Sequence, residues 1–198
     1  MEIVGSSDLV KVHPARLGFD FDGVVADTAE AFIRLCCEDY GHCSIRLEDI
    51  TEFEVERCLD LAPGIVEAVF TRILVNSIEA GLQPMTGAIE VLGELSELAQ
   101  VTVITARPYP QPVRDWLDMN MPSGVSRRIT VVAMGMHDDK PRHIRRHGLD
   151  AFIDDRAETC FQLEAAGITP ILFSQPWNRG RHGFATVRTW QEIRALCL

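Results

Sequence analysis

Short apolar runs alternate with helical patterns along most of this chain. Five of the runs are rich in β-branched and aromatic residues and are bounded by polar or glycine residues, as buried strands are. Their sequences are RLGFDF, VTVIT, ITVVAM, AFID and PILFS. The segments PVRDWLDMN, PRHIRRHG and AETCFQLEAAG lie between them with helical spacing, and TWQEIRALCL opens like a capped final helix. This alternation predicts an α/β fold with a doubly wound, Rossmann-like parallel sheet.

The connection between the first two strands is too long for an ordinary crossover. It has about 70 residues, whereas connections in compact domains usually have about 2–6. The pattern predicts a helix from Asp27 to Tyr40, a second helix in PGIVEAVFTRILVNSIEAG, and a third in TGAIEVLGELSELA that returns to the sheet. We therefore predict a small helical cap domain at residues 29–84, inserted after the first strand. Residues 1–28 and 85–198 would form the α/β core domain.

Three phenylalanines in the predicted cap have two interpretations. Phe32, Phe53 and Phe70 are expected in the core of the cap, because aromatic residues at helical spacing usually pack inside. The alternative is that one of them reaches the cleft and stacks against a ligand.

Composition and charge restrict the class of protein. The chain has 198 residues, of which 46% are hydrophobic and 24% charged, as in globular domains. Its net charge of −10 argues against binding to a nucleic-acid polymer or a membrane surface, because both require a positive field. The acidic excess lies in the first half, while the second half is slightly basic, so we expect an anion-binding face to come mainly from the second half.

Targeting signals and cysteines point to the cytoplasm. The N-terminal sequence has no basic region followed by an apolar stretch, and no apolar run approaches the roughly 20 residues that span a bilayer. The six cysteines contain no C-x-x-C pair. We therefore expect a cytoplasmic protein with reduced, mostly packed thiols.

Polar residues end the predicted strands on the side where parallel sheets bind ligands. Several carboxylates at one rim would repel each other, so a cation is needed to keep them charged. Oxygen ligands of this kind suit Mg²⁺, which commonly takes one or two carboxylates together with a substrate phosphate. The candidate site residues are Asp20, Asp22, Gly23, Thr105, Ala106, Arg107, Lys140, Asp154 and Asp155.

The order of these residues resembles the four motifs of the haloacid dehalogenase superfamily of phosphohydrolases. DFDGVV, beginning at Asp20, matches the first motif, and VIT, ending at Thr105, matches the second. Lys140 corresponds to the third motif and FIDD, ending at Asp155, to the fourth. The resemblance covers the core at roughly residues 15–26 and 86–175, and it does not cover most of the cap.

The resemblance implies a phosphatase that works through an aspartyl-phosphate. Asp20 would be the nucleophile, and Asp22, two residues along and on the same face, would be the general acid and base. Asp20, the backbone carbonyl of Asp22, and Asp154 would bind Mg²⁺, while Asp155 would orient metal-bound water or Lys140. Asp20, Asp22, Asp154 and Asp155 are therefore the predicted metal residues.

The same resemblance assigns the contacts to the phosphoryl group. Thr105 and Lys140 would hold its oxygens and count, with the two aspartates, as catalytic residues. The predicted substrate-binding residues are Gly23, Thr105, Ala106, Arg107 and Lys140.

A narrower resemblance concerns the substrate. The helical insertion after the first motif, TARP after the second strand, and FIDDR together look like the 5′(3′)-deoxyribonucleotidase type C group and its bacterial nucleotidase-like relatives. This implies a 5′-nucleotidase acting on (deoxy)nucleoside monophosphates. A phosphatase of another small metabolite, such as a sugar phosphate, remains an alternative, and the oligomeric state is not predicted.

Two other classes fit the residues less well. A dehalogenase or phosphonate-cleaving relative would use the same nucleophile, but a dehalogenase has no alkoxide for Asp22 to protonate. A non-enzymatic phosphoacceptor module like a response-regulator receiver would carry its adjacent acidic residues after the first strand, whereas here the adjacent pair Asp154 and Asp155 lies after Lys140, and the cap has no counterpart in such a module. The loop at Gln175–Arg179 has two possible interpretations, a contact to the substrate or a surface turn.

Overall fold

The computed structural model describes residues 11–122, 124–135, 139–180 and 182–198. Residues 1–10, which make up most of the N-terminal segment that is expected to carry no targeting signal, lie outside the described part. No helix in the described ranges has both the length and the apolar character needed to cross a membrane.

Six parallel strands form one sheet, in the order β3-β2-β1-β4-β5-β6. The predicted α/β fold with a Rossmann-like parallel sheet is confirmed. Five strands correspond to the predicted runs, and β6 was not predicted because it is a short edge strand with few apolar residues. The strands are β1 Leu17–Phe19, β2 Val101–Thr105, β3 Ile129–Ala133, β4 Ala151–Asp154, β5 Thr169–Phe173 and β6 Ala185–Val187.

Helices cover both faces of the sheet. Neighbouring strand residues point to opposite faces, so Ile153 packs with the larger core and Phe152 with the smaller one. The larger core holds residues of α3 and α7, and the smaller core holds residues of α5 and α6. These core helices are α3 Ala88–Leu98, α4 Gln111–Asn120, α5 Lys140–Arg146, α6 Ala157–Ala165 and α7 Trp190–Cys197.

The long insertion after β1 contains two further helices, α1 (Thr28–Tyr40) and α2 (Pro63–Val75), which pack against each other. Its two ends lie side by side, because the Asp27 amide donates to the Gln83 carbonyl and the Met85 amide donates to the Val25 carbonyl. The domain boundaries at residues 29 and 84 stay a prediction.

The second insertion helix is shorter than its pattern predicted. It ends at Val75 instead of continuing through Gly81, and the following residues form turns. The Ser77 hydroxyl donates to the Ile73 carbonyl, which competes with continuation of the helix. The last turn of α2 and Ser77 both accept hydrogen bonds from the Arg107 side chain, which follows β2.

The expectation that all six cysteines are reduced is wrong for one pair. Cys37, near the end of α1, is bonded to Cys43. Gly41 adopts a left-handed conformation with φ of 75° after the helix and reverses the chain, so Cys43 returns beside Cys37. Within the described ranges, the free cysteines are Cys36, Cys58, Cys160 and Cys197.

Candidate active site

A tight turn follows the first strand and carries the two aspartates of the first motif. The Asp20 amide still pairs with β4, donating to the Ile153 carbonyl at 2.8 Å, and the Phe21 amide donates to Asp20 Oδ1 at 2.8 Å. The Phe21 carbonyl then accepts from the amides of Val25 and Ala26, which closes the turn. Asp20 is therefore held at the carboxyl edge of the sheet by backbone contacts on both sides.

Gly23 is required by this turn for two reasons. Its φ of 72° lies in the left-handed region, which residues other than glycine rarely adopt. A Cβ atom at this position would also lie 2.1 Å from Asp155 Oδ2. The turn is further anchored by Gln175, whose Nε2 donates to the Gly23 carbonyl at 2.8 Å. The turn can therefore approach Asp155 this closely only because glycine has no Cβ atom.

Lys140 lies between two of the carboxylates. Its Nζ donates to Asp154 Oδ2 at 2.6 Å and lies 3.2 Å from Asp20 Oδ2. The lysine side chain is only 2% exposed, and that of Asp154 is fully buried. Such a buried ammonium group needs its carboxylate partners, because an unpaired charge is costly away from water. The structure thus brings together the residues of the first, third and fourth motifs.

Asp22 forms an ion pair with Arg107. The guanidinium Nε donates to Asp22 Oδ2 at 2.8 Å, and Nη2 donates to Asp22 Oδ1 at 2.7 Å. The Thr28 hydroxyl donates to the same Oδ1 at 2.7 Å. Thr105 is buried at the end of β2, and its Oγ1 accepts from the Arg107 amide at 3.2 Å. The second motif therefore lies beside the first, as the order of the strands requires.

Burial and neighbouring charges move the pKa values of these aspartates in opposite directions. Burial raises the pKa of Asp20 to about 7, although Lys140 opposes the shift. Burial and the charge of Asp154 raise the pKa of Asp155 well above its usual range. Burial would also raise the pKa of Asp22, but Arg107 outweighs it and holds this pKa below its ordinary value. The pKa of Lys140 is raised because Asp154 and Asp20 outweigh the effect of its burial.

Three of the aspartates could share a metal ion. Asp20, Asp154 and Asp155 each offer one carboxylate oxygen, and these oxygens lie within 4.8 Å of one another. The side chain of Asp22 is not part of this group, since it pairs with Arg107. Among the described residues, Lys140 and Arg107 are the buried cations at the site, so they neutralise two of four carboxylates. A divalent cation would neutralise the other two, and the all-oxygen donor set fits a hard ion such as Mg²⁺.

A cavity of about 350 Å³ opens next to these groups, between the insertion and the ends of the strands. Asp20, Asp22, Gly23, Thr105 and Asp155 lie at one end of it. Its volume falls in the range of small-molecule sites. The remaining wall is mostly apolar and comprises Thr28, Ala29, Phe32, Ile50, Phe53, Val55, Phe70, Leu74, Ala106, Arg107, Pro108 and Trp177, with Glu54 and Glu56 beside them.

The three phenylalanines that were expected in the core all line this cavity. Phe32 and Phe70 stack with their ring centroids 4.8 Å apart, and Phe32 is almost completely buried. The Arg156 guanidinium lies 4.6 Å from the centroid of the Phe53 ring. Both interpretations therefore hold. Phe32 belongs to the larger core, Phe53 and Phe70 pack against it, and all three also border the cavity, which helical spacing alone does not reveal.

The loop at Gln175–Arg179 holds the backbone of Asp155 and also forms part of the cavity wall. Asn178 Nδ2 donates to the Asp155 carbonyl at 2.7 Å, and Trp177 Nε1 donates to the same oxygen at 3.2 Å. Trp177 also lines the cavity. Arg179 forms an ion pair with Glu48 of the insertion at 2.7 Å. The loop thus positions the fourth motif and connects the core to the insertion.

Sequence reasoning missed two residues that support the site, Thr28 and Ser77. Gln175 lies in the loop whose role the sequence left open, and it directly follows the apolar run of β5 at a strand end that faces the ligand. Thr28 and Ser77 had no such signal, because one begins a helix and the other lies in a turn far away along the chain.

The chain is similar to a known protein family over most of its length. Residues 14–198 match the family model described as 5′ nucleotidase, deoxy (Pyrimidine), cytosolic type C protein. No curated protein sequence matches the chain significantly.

Solved structures with the same fold are distant in sequence. A hydrolase of the haloacid dehalogenase superfamily from Ehrlichia chaffeensis is 15% identical, with a TM-score of 0.51 over 92% of this chain and 95% of that one. A haloacid dehalogenase-like family protein from Streptococcus pneumoniae is 14% identical, with a TM-score of 0.59 over 90% and 96%. CbbY from Rhodobacter sphaeroides, solved with xylulose-(1,5)bisphosphate, is 18% identical, with a TM-score of 0.58 over 92% and 98%. At these identities the likeness concerns the fold.

Proposed function

Since this chain belongs to the family of the 5′ nucleotidase, deoxy (Pyrimidine), cytosolic type C protein, we propose that it is a Mg²⁺-dependent 5′-nucleotidase acting on (deoxy)nucleoside monophosphates. The resemblance to the haloacid dehalogenase superfamily is confirmed by this membership, and the chain is a hydrolase of the phosphatase class of that superfamily. The metal, the substrate and the roles of single residues are what is proposed here.

The observation that carries the proposal is the position of Asp20. Its carboxylate lies at the end of the cavity, 3.2 Å from Lys140 Nζ and within 4.8 Å of carboxylate oxygens of the two aspartates of the fourth motif. A phosphoryl group entering this end would meet a nucleophilic oxygen and a buried positive charge together. This arrangement suits phosphoryl transfer, in which positioning and electrostatic stabilisation provide most of the rate enhancement.

In the proposed reaction, an oxygen of Asp20 attacks phosphorus and the bond from phosphorus to the leaving oxygen breaks. Asp22 gives its proton to that leaving oxygen and later takes a proton from the water that hydrolyses the aspartyl-phosphate. Arg107 disfavours the protonated form of Asp22, but the negative phosphoryl group next to it has the opposite effect. Thr105 and Lys140 would contact the phosphoryl oxygens.

Mg²⁺ would be held by Asp20, Asp154 and Asp155 and would supply positive charge to the phosphoryl oxygens. The backbone of Asp22 is a further predicted ligand. Asp154 is well placed for this role because its Oδ1 is fixed by the Arg156 amide at 2.9 Å while Oδ2 faces Lys140.

The cavity wall is suited to bind the aromatic base of a nucleotide. Stacked rings of Phe32 and Phe70 and the ring of Phe53 provide flat apolar surfaces, and an aromatic base can stack on such surfaces. Glu54 and Glu56 can accept hydrogen bonds from hydroxyl or amino groups.

A phosphate-release screen tests the proposal. The panel contains deoxyribonucleoside and ribonucleoside monophosphates and sugar monophosphates, each assayed with Mg²⁺ and with excess chelator, and Asp20→Asn serves as the inactive control. We expect the highest kcat/KM on a nucleoside monophosphate and no turnover in chelator. A clear preference for sugar phosphates would support the alternative of a different metabolite phosphatase. Full activity in chelator would contradict the proposed metal dependence.

A further inference from the structure

Arg107 is held by more contacts than its predicted role in substrate binding requires. Its side chain is 1% exposed, and two of its nitrogens donate to the two oxygens of Asp22. The third nitrogen, Nη1, donates to Ser77 Oγ at 2.6 Å and to the Leu74 carbonyl at 3.2 Å. The guanidinium also lies 4.8 Å from the centroid of the Phe21 ring. Every nitrogen of this guanidinium therefore donates to a protein group.

The two partners beyond Asp22 belong to the insertion. Leu74 lies in the last turn of α2, where backbone carbonyls have no intrahelical partner, and Ser77 follows the end of the helix. Arg107 supplies a donor to one of these carbonyls. It thereby connects the end of α2 to the carboxylate that is proposed to transfer the proton.

The bidentate geometry fixes the carboxylate group of Asp22. Two parallel hydrogen bonds determine the plane of the carboxylate, and the Thr28 hydroxyl adds a third bond to Oδ1. The backbone of Arg107 is held as well, because its carbonyl accepts from the Gly135 amide at 3.1 Å. A lysine at this position could not reproduce the contacts, since a single ammonium group lacks the planar fork of donors.

We propose that Arg107 is a positioning residue, which acts through Asp22 by orienting its carboxylate and by coupling that orientation to the end of α2. This inference rests on the proposed function, because it requires that Asp22 transfers the proton. It differs from direct binding of the phosphoryl group by Arg107, since four of the five N–H donors of the guanidinium are directed at Asp22 and the insertion.

The experiment compares leaving groups in a double-mutant cycle. Wild type, Arg107→Lys, Asp22→Asn and the double variant are assayed with Mg²⁺ on an alkyl phosphate and on p-nitrophenyl phosphate, whose leaving group needs no proton. A misplacement of about 1 Å in a reacting group can cost about 10²-fold in rate. We therefore expect Arg107→Lys to lose about 10- to 100-fold on the alkyl phosphate and much less on p-nitrophenyl phosphate.

Coupling is the second expected result. Because Arg107 is proposed to act only through Asp22, the double variant should be no slower on the alkyl phosphate than Asp22→Asn alone. Arg179→Lys is the matched control, because this arginine also joins the core to the insertion but does not contact Asp22. The ratio of rates on the two substrates should stay at the wild-type value in this control.

Other outcomes overturn the inference. Losses that multiply in the double variant, with KM raised equally on both substrates, would make Arg107 a direct phosphate ligand. A lowered melting temperature with an unchanged rate ratio would make it a structural ion pair. Should Arg107→Lys not fold, Ser77→Ala removes one bond to the guanidinium and should shift the rate ratio in the same direction by a smaller factor; an unchanged ratio would then overturn the coupling.

Failure of the proposed function gives a different result. An Asp22→Asn variant with the wild-type rate ratio would show that Asp22 does not transfer the proton, which removes the basis of both proposals. An altered ratio in Asp22→Asn together with an unaltered ratio in Arg107→Lys would overturn only the positioning role of Arg107.

Discussion

Replacing Lys140 with methionine should destabilise the protein strongly when no divalent cation is present. The change removes the ammonium group that donates to Asp154 at 2.6 Å and lies 3.2 Å from Asp20, and it keeps most of the side-chain volume. Asp154 is fully buried, so its carboxylate would lose its main neutralising partner without gaining access to water. Asp20 is 13% exposed and can be partly solvated, so it contributes less to the loss.

The magnitude follows from the cost of leaving one partner of a buried ion pair unpaired, about 3–5 kcal/mol. Because the slope of unfolding free energy in urea is about 2 kcal/mol/M for a domain of this size class, the midpoint should fall by roughly 1.5–2.5 M. The assay is equilibrium urea unfolding, followed by circular dichroism in excess chelator. Lys140→Arg is the control, because it keeps the positive charge and should lose less.

Addition of Mg²⁺ provides a second arm of this experiment. A divalent cation bound by Asp20, Asp154 and Asp155 would supply the missing positive charge, so Lys140→Met should gain more stability from Mg²⁺ than wild type does. A midpoint in chelator within 0.3 M of wild type, roughly 0.6 kcal/mol at the same slope, would refute the reasoning that Lys140 neutralises this cluster.

Four further predictions concern the chemistry and the cavity. Asp20→Asn should form no phosphoenzyme with any substrate. Asp22→Asn should give a burst of p-nitrophenol from p-nitrophenyl phosphate and a phosphate adduct on Asp20, because its general-base step is slowed by about 10²–10⁴-fold. Rapid-quench kinetics detects the burst and intact-protein mass spectrometry detects the adduct; an adduct on another residue would contradict the assignment of Asp20 as nucleophile. Asp154→Asn should weaken Mg²⁺ binding, measured by calorimetry, more than it lowers the free energy of unfolding, and comparable losses would indicate a structural role. Phe53→Ala should change the ranking of nucleotides by kcat/KM, while an unchanged ranking with lower stability would place this ring outside the substrate pocket. Gly23→Ala should abolish activity and lower the melting temperature, because the new Cβ would lie 2.1 Å from the Asp155 carboxylate; wild-type turnover would show that the turn can relax.

The sequence alone determined the features that depend on local pattern. The apolar runs predicted β1 to β5 because buried strands in a parallel sheet are continuously apolar, and strand-end aspartates marked the site because parallel strands end at one edge. Asp20, Asp154 and Asp155 were predicted in this way, and Lys140 was predicted from its place in the order of the motifs. The order of the motifs, together with the rule that parallel strands end at one edge of the sheet, also predicted that these residues lie close together. The very short strand β6 and the early end of α2 escaped the pattern, because tertiary contacts outweigh propensity in such short segments.

Only the tertiary structure decided which groups meet across long separations in the chain. Nothing in the pattern around Ser77 and Leu74 indicates a contact with Arg107, because that contact depends on where α2 stops and how the insertion lies on the sheet. The bond between Cys37 and Cys43 likewise required the chain reversal at Gly41. The cavity is the clearest case. Periodicity shows that an aromatic ring faces inward, but whether it fills the interior or borders an empty volume depends on the packing of segments that are distant in sequence.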